Sequence, residues 1–135
     1  MNARYAVRIH RRGDRFVATT ALEKLASDPG RIDAQLRDIA DAYARAVAAF
    51  REALADGQRG ARGRGAAYWR AGQTIVDFEN ALSAAGFYLV TQNAAFARDL
   101  GMNAGTLRKI IAYRRRNPDV NALDATSYWT GAKKR

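Results

Sequence analysis

Apolar and polar positions alternate along this chain with two different periods. From Tyr5 to Thr20 the period is two: Tyr5, Val7 and Ile9 share one face, and Ala6, Arg8 and His10 share the other. The pattern crosses Arg11-Arg12-Gly13-Asp14 and resumes with Phe16, Val17 and Thr19. This predicts a β-hairpin around a Gly-Asp turn. An isolated hairpin is marginal in water, so it must dock on helices or on a partner chain. The stretch ALEKLASDPG then reads as a short helix stopped by Asp28-Pro29-Gly30.

From Ile32 the period lengthens. Ile32, Leu36, Ile39, Tyr43, Val47, Phe50 and Leu54 recur at steps of three and four, which predicts one amphipathic helix with Gly57 as its stop. Such a helix is roughly 35 Å long. Its stripe suits packing across the whole domain and packing against a second subunit equally well. Gly57–Gly65 holds no apolar residue larger than alanine and reads as a glycine/arginine linker. A further helix opens at Ala66. Tyr68, Ala71, Gly72, Ile75, Phe78 and Leu82 line one face, Trp69 and Val76 widen it, and Ala85-Gly86 ends it. A last helix should close before Asn117-Pro118.

Charge changes the picture more than composition does. The 135 residues carry 23 Lys and Arg against 13 Asp and Glu, a net +10 that favours a polyanionic partner. The excess is segregated. Residues 57–70 hold four arginines and no acid, and residues 98–135 hold nine basic side chains against three acids, whereas residues 71–97 hold two acids and no base. Clustering of this kind points to a binding surface. Cysteine is absent and His10 is the only histidine, which excludes disulfides and cysteine-based zinc sites. No apolar run approaches a membrane span and Met1–Phe16 carries too many charges for a leader, so a soluble, cytoplasmic protein is expected.

The residues that carry the functional reading run from Asn93 to Arg116. Counted from Asn93, Ala97 stands fifth, where two helices would cross closely, and Gly101 ninth, at a turn needing positive φ. Phe96, Leu100, Met102, Leu107 and Ile110 fill the positions that must be apolar to join the helices, and Asn103 falls where the second helix needs an N-cap. This unit resembles the helix–turn–helix of bacterial and phage repressors. On its second helix Leu107, Ile110 and Ile111 point inward, while Gly105, Arg108, Lys109, Ala112, Arg115 and Arg116 point outward. The resemblance implies DNA contacts from Asn103, Ala104, Gly105, Thr106, Arg108, Lys109, Ala112, Arg115 and Arg116. Small Ala104 and Gly105 let the helix end approach base edges, Arg108 and Lys109 reach guanine O6/N7, and Arg115 and Arg116 reach phosphates.

AAYWRAGQTIVDFE (Ala66–Glu79), followed by ARDLGMNAGTLRKIIAYRRRNPD (Ala97–Asp119), is in addition similar in order and residue type to the N-terminal domain of YhcG-like nucleases. In that family a separate C-terminal domain carries the catalytic acids. No such domain is expected in these 135 residues, so the resemblance implies a shared helical, DNA-related module and transfers no activity.

Arg62-Gly63-Arg64 matches the centre of an AT-hook, although Ala61 and Gly65 stand where that motif has prolines; the alternative is a flexible linker touching phosphates or nothing. Arg8, Arg11, Arg12 and Arg15 crowd the hairpin, either as a β-ribbon contact to DNA or as a charged edge that blocks sheet aggregation. Tyr68 and Trp69 are expected in the core. Three serines lack a glycine-rich nucleophile turn, the acids are scattered, and Gly57–Gly65 lacks the Walker pattern, so neither an enzyme nor a metal or cofactor site is expected.

The expected fold is mainly α: a helical domain containing a helix–turn–helix, with an N-terminal β-hairpin and one long helix. Its parts are residues 1–30 (hairpin and short helix), 31–56 (long helix), 57–65 (linker), 66–120 (helix–turn–helix domain) and 121–135 (basic tail). The expected function is a sequence-specific transcriptional regulator that reads the major groove of double-stranded DNA. A homodimer, joined through the long helix or the hairpin, would bind two half-sites about one helical turn apart. Two other readings stand beside it: an architectural or accessory DNA-binding protein of a phage, plasmid or gene-transfer element, and a protein–protein adaptor, for instance on RNA polymerase.

Overall fold

The computed structural model describes residues 5–20, 29–58 and 64–118. Period-two alternation becomes β1 (Tyr5–Arg12) and β2 (Arg15–Thr19), antiparallel around the two-residue turn Gly13-Asp14. Val7, Ile9 and Ala18 point inward and are buried. Two long helices follow, α1 (Pro29–Gln58) and α2 (Arg64–Ala84). Then come β3 (Phe87–Leu89), α3 (Gln92–Leu100) and α4 (Ala104–Arg116). The architecture is thus mainly helical with a small sheet ordered β2-β1-β3.

Pro29-Gly30 stands in the first turn of α1. Proline suits that place because its missing N–H would have no intrahelical partner there and its fixed φ is already helical. The short helix expected before it lies outside the described residues. Gly57 and Gln58 still belong to α1, and Arg64 and Gly65 already belong to α2, so both helices run into the expected linker.

The α1 stripe is covered within the chain. Leu36, Ile39, Tyr43, Val47 and Phe50 are all buried, packed chiefly against α2 and β2. Among the described residues this half of the expectation, packing across the domain, accounts for most of the stripe, with Ile32 and Leu54 at its ends half-buried. The hairpin docks through β2 on α1 and through β1 on β3, so it needs no partner chain for support.

Four elements meet in one aromatic cluster. Tyr43 of α1 lies 5.0 Å from Phe16 of β2, 5.7 Å from Phe78 of α2 and 4.6 Å from Phe96 of α3 (ring centroids), mostly in edge-on or tilted pairs. Such pairs add about 0.5–1.5 kcal/mol each beyond the area they bury. This cluster seats α3, and α3 in turn positions α4. On the other side, α4 lies against α2 so closely that a Cβ on Gly72 would come within 2.7 Å of Arg114 Cβ and 2.9 Å of the Ile110 carbonyl oxygen.

The apolar pattern does not predict β3. Its Phe87 and Leu89 are buried, Tyr88 faces out, and Tyr5, Ala6 and Val7 pair with it in parallel register. Directly after it the chain enters α3, so the sheet fixes where α3 begins. Among the described residues no helix is long and apolar enough to cross a membrane.

Candidate nucleic-acid interface

α3 ends at Gly101, which takes φ 69° and ψ 36°, the left-handed conformation that only glycine adopts without a Cβ penalty. The Met102 N–H returns to the Ala97 carbonyl at 3.0 Å and the Gly101 N–H to Arg98 at 3.3 Å, closing the helix while Met102 packs on the core. Asn103 then caps α4: its Oδ1 accepts from the backbone N–H of Gly105 at 2.7 Å and of Thr106 at 3.3 Å. Ala97, Phe96, Leu107 and Ile110 are buried, and Leu100 is half-buried. The turn and the cap thus fall on the residues expected for them.

Five of the expected contact residues lie on the outer face of α4. Arg108, Lys109, Ala112, Arg115 and Arg116 are exposed, at helical steps that put them on one side of the helix. Arg108 and Lys109 have no hydrogen bond or ion pair among the described residues. The others depart in part from expectation. Ala104 packs against the core, Gly105 and Thr106 are half-buried, and the Asn103 oxygen is committed to the cap. Arg115 is ion-paired with Glu79 of α2, and the Arg116 guanidinium carbon stands 5.8 Å from the Tyr113 ring centroid. Arg64 belongs to the first turn of α2, and Arg62 and Gly63 lie outside the described residues.

Two shallow, adjoining depressions flank this face. One, of about 540 Å³, is lined by Asn93, Arg108, Ile111, Ala112, Arg115 and Arg116. The other, of about 350 Å³, brings in Glu79, Thr91 and Gln92. The start of α3 therefore borders the same surface as the cations of α4. Thr91, its N-cap, has φ 47° and makes no side-chain cap, its hydroxyl donating to the Val90 carbonyl at 2.7 Å instead. A β-branched residue in this conformation is strained. In the sequence Asn93 marks only the start of the helix–turn–helix count. The signal that it borders the contact surface is its place at the positive end of α3.

Behind the outer face sits a buried carboxylate that no pattern in the sequence singles out. Asp99, 4% exposed, accepts a hydrogen bond from the Tyr43 hydroxyl at 2.6 Å. Arg98 grips both of its oxygens, Nε at 3.0 Å and Nη2 at 2.7 Å, and Arg51 donates to its backbone carbonyl. Burial pushes the Asp99 carboxyl up, but hydrogen bonds from Arg98 and Tyr43, with the charges of Arg98 and Arg11, outweigh it and hold the carboxyl below its ordinary range. Burial, with the Asp99 hydrogen bond and charge, raises the Tyr43 phenol well above its ordinary value. Arg98 also donates to the Ile9 carbonyl at 3.4 Å, where β1 has run past the end of β3. These bonds lock α3 onto α1 and β1.

Trp69 and Arg114 make a second anchor. The Arg114 guanidinium carbon lies 4.6 Å from the Trp69 ring centroid, Arg114 donates to Gln73, and the Trp69 indole N–H donates to the Asn117 carbonyl. Trp69 is thus a half-buried strut that holds the end of α4. A further groove, about 640 Å³ between β2 and α1, is lined by Phe16, Leu36 and Ala40 with Asp33, Arg37 and Asp41, and shares no residue with the α4 face. Among the described residues no three His, Cys, Asp or Glu come together as a metal site. No family model, curated protein or solved structure matches this chain.

Proposed function

We propose that this protein is a sequence-specific, double-stranded-DNA-binding transcriptional regulator whose α3 and α4 act as a helix–turn–helix. One observation carries the reading. The inner side of α4 is fixed by Leu107, Ile110 and Tyr113, while Arg108 and Lys109 project outward with no bonding partner among the described residues. Unsatisfied cations on a rigid helix suit hydrogen-bonding to base edges, because the backbone beneath them does not have to reorganise.

In this reading Arg108 and Lys109 meet guanine O6 and N7 in the major groove, and Ala112 allows close approach. Arg115 and Arg116, nearer the helix end, meet phosphates, which position the protein without reading sequence. The first turn of α3, uncapped by any side chain and bordering the same depressions, offers backbone N–H groups to a phosphate oxygen.

Selection from random duplexes, followed by titration, tests this. A preferred site should be bound roughly a thousandfold more tightly than random DNA. Arg108→Ala should relax the preference at one or two base pairs, whereas Arg116→Ala should weaken all sequences alike. Identical behaviour of the two variants would sink the docking arrangement. Steep salt dependence without sequence preference would favour an architectural binder instead.

A further inference from the structure

The hairpin carries a second cluster of cations on a surface separate from α4. Its register places Arg8 opposite Thr19, His10 opposite Val17, and Arg12 opposite Arg15. With Val7, Ile9 and Ala18 buried beneath, these side chains belong to the outward face, and Arg8, His10, Arg12 and Arg15 are all exposed. Arg12 and Arg15 form the last pair before the turn, and like charges directly opposed across strands destabilise a hairpin. None of Arg8, Arg12 and Arg15 has a hydrogen bond or ion pair among the described residues. Asp14, in the turn, is the one carboxylate on the described hairpin.

Protection of an open sheet edge accounts for Arg15 on the outer strand β2. It does not account for Arg8. That residue lies on the central strand, with β2 on one side; on the other, Val90 N–H is bonded to the Val7 carbonyl at 2.9 Å and Arg98 to the Ile9 carbonyl. Arg8 therefore guards no edge. From Arg8 to Arg12 the strand advances about 13 Å, a distance over which one DNA strand presents several phosphates, one per ~3.4 Å of axis.

We infer that the outward face of the β1–β2 hairpin is a second DNA-contacting surface, on which Arg8, Arg12 and Arg15 bind the sugar–phosphate backbone of the duplex. The inference rests on the reading of α4 only in taking duplex DNA as the partner. Its tolerance of the Arg12–Arg15 repulsion has a physical meaning: a phosphate placed between the two guanidinium groups relieves it. This surface supplies affinity and salt dependence, and base preference stays with α4.

The test uses the full chain and random-sequence duplexes, titrated by fluorescence anisotropy over a range of salt. The triple variant Arg8→Gln, Arg12→Gln, Arg15→Gln should reduce the log–log salt slope by about 2–3, at roughly 0.9 for each phosphate no longer neutralised, with the ranking of sequences unchanged. The single variant Arg12→Gln should reduce the slope by about 0.9 while raising the unfolding midpoint, since a repulsion has gone. This pairing of higher stability with weaker binding separates the proposal from damage to the fold. A hairpin variant with the wild-type slope would overturn the inference and leave α4 untouched. A reduced slope in the hairpin variant, with no change of preference in Arg108→Gln/Lys109→Gln, would overturn the α4 reading alone. A wild-type chain that binds no duplex would overturn both. Tighter binding of a single strand than of the duplex, abolished by Tyr88→Ala, would replace backbone contact with base stacking on that exposed ring.

Discussion

Arginines at two ends of the α3–α4 pair behave in opposite ways. On the seams with α1 and α2, Arg98 grips a buried carboxylate and Arg114 lies over the Trp69 ring. On the outer face, Arg108 has no such partner among the described residues. All three are arginines in a strongly basic stretch, yet two of them hold the fold together and the third is presented to solvent. Positive charge along a sequence therefore marks a region, and only the bonding of each guanidinium locates the surface within it.

The contrast can be broken most forcefully at Asp99. Asp99→Ala leaves the Tyr43 hydroxyl buried without its acceptor and Arg98 without its carboxylate. It should lower stability by about 2–3 kcal/mol in urea unfolding; the figure is at the low end for a buried pair because the Arg98 side chain, 52% exposed, can rehydrate. A decrease below about 1 kcal/mol would mean that the inward arginine is no anchor. Gly72→Ala attacks the other seam, where the new methyl would meet Ile110's carbonyl oxygen and Arg114 Cβ. Backbone cannot yield as a flexible side chain does, and a cost of about 2 kcal/mol is expected in the same assay. Arg114→Ala should cost about 1 kcal/mol, from removal of the stack on Trp69 and the bond to Gln73.

Acid sharpens the same comparison. The Asp99 carboxyl titrates lower in the folded than in the unfolded chain, so the unfolded chain takes up the proton first. Its contribution is complete above about pH 4, the ordinary carboxylate value, and is lost as pH falls through the lowered folded value. Asp99→Asn should flatten that acid limb of a stability–pH curve, whereas Arg108→Ala should leave it unchanged. The smallest expected effect on the fold belongs to Arg108→Ala itself: an unaltered unfolding midpoint in calorimetry, with its consequence confined to DNA. A shifted midpoint would place Arg108 among the anchors.

Much of the chain is legible in its apolar periods, because α1, α2 and the β1–β2 hairpin each bury one regular face. The Gly101 turn and the Asn103 cap are equally legible, since each demands a residue type that few others satisfy. β3 is not: three residues are too few to show a period, and their partner strand lies far away in sequence. Asp99 is hidden because an acid next to an arginine looks like a solvated pair until Tyr43, on another helix, is seen to close over it. Ala104 turns half inward because the first turn of α4 lies close to the core, which helical phase alone does not reveal.

The parallel ladder between β1 and β3 also bears on the order in which the molecule assembles. Its partners, Tyr5–Val7 and Phe87–Leu89, stand some eighty residues apart, so the two segments meet only after a long loop has closed, at an entropic cost that local contacts do not incur. α3 and α4, separated by three residues, can associate while that loop is still open. Sheet completion is then a late event on the folding pathway, and in pulse-labelled hydrogen exchange the amides of β3 should gain protection after those of α4.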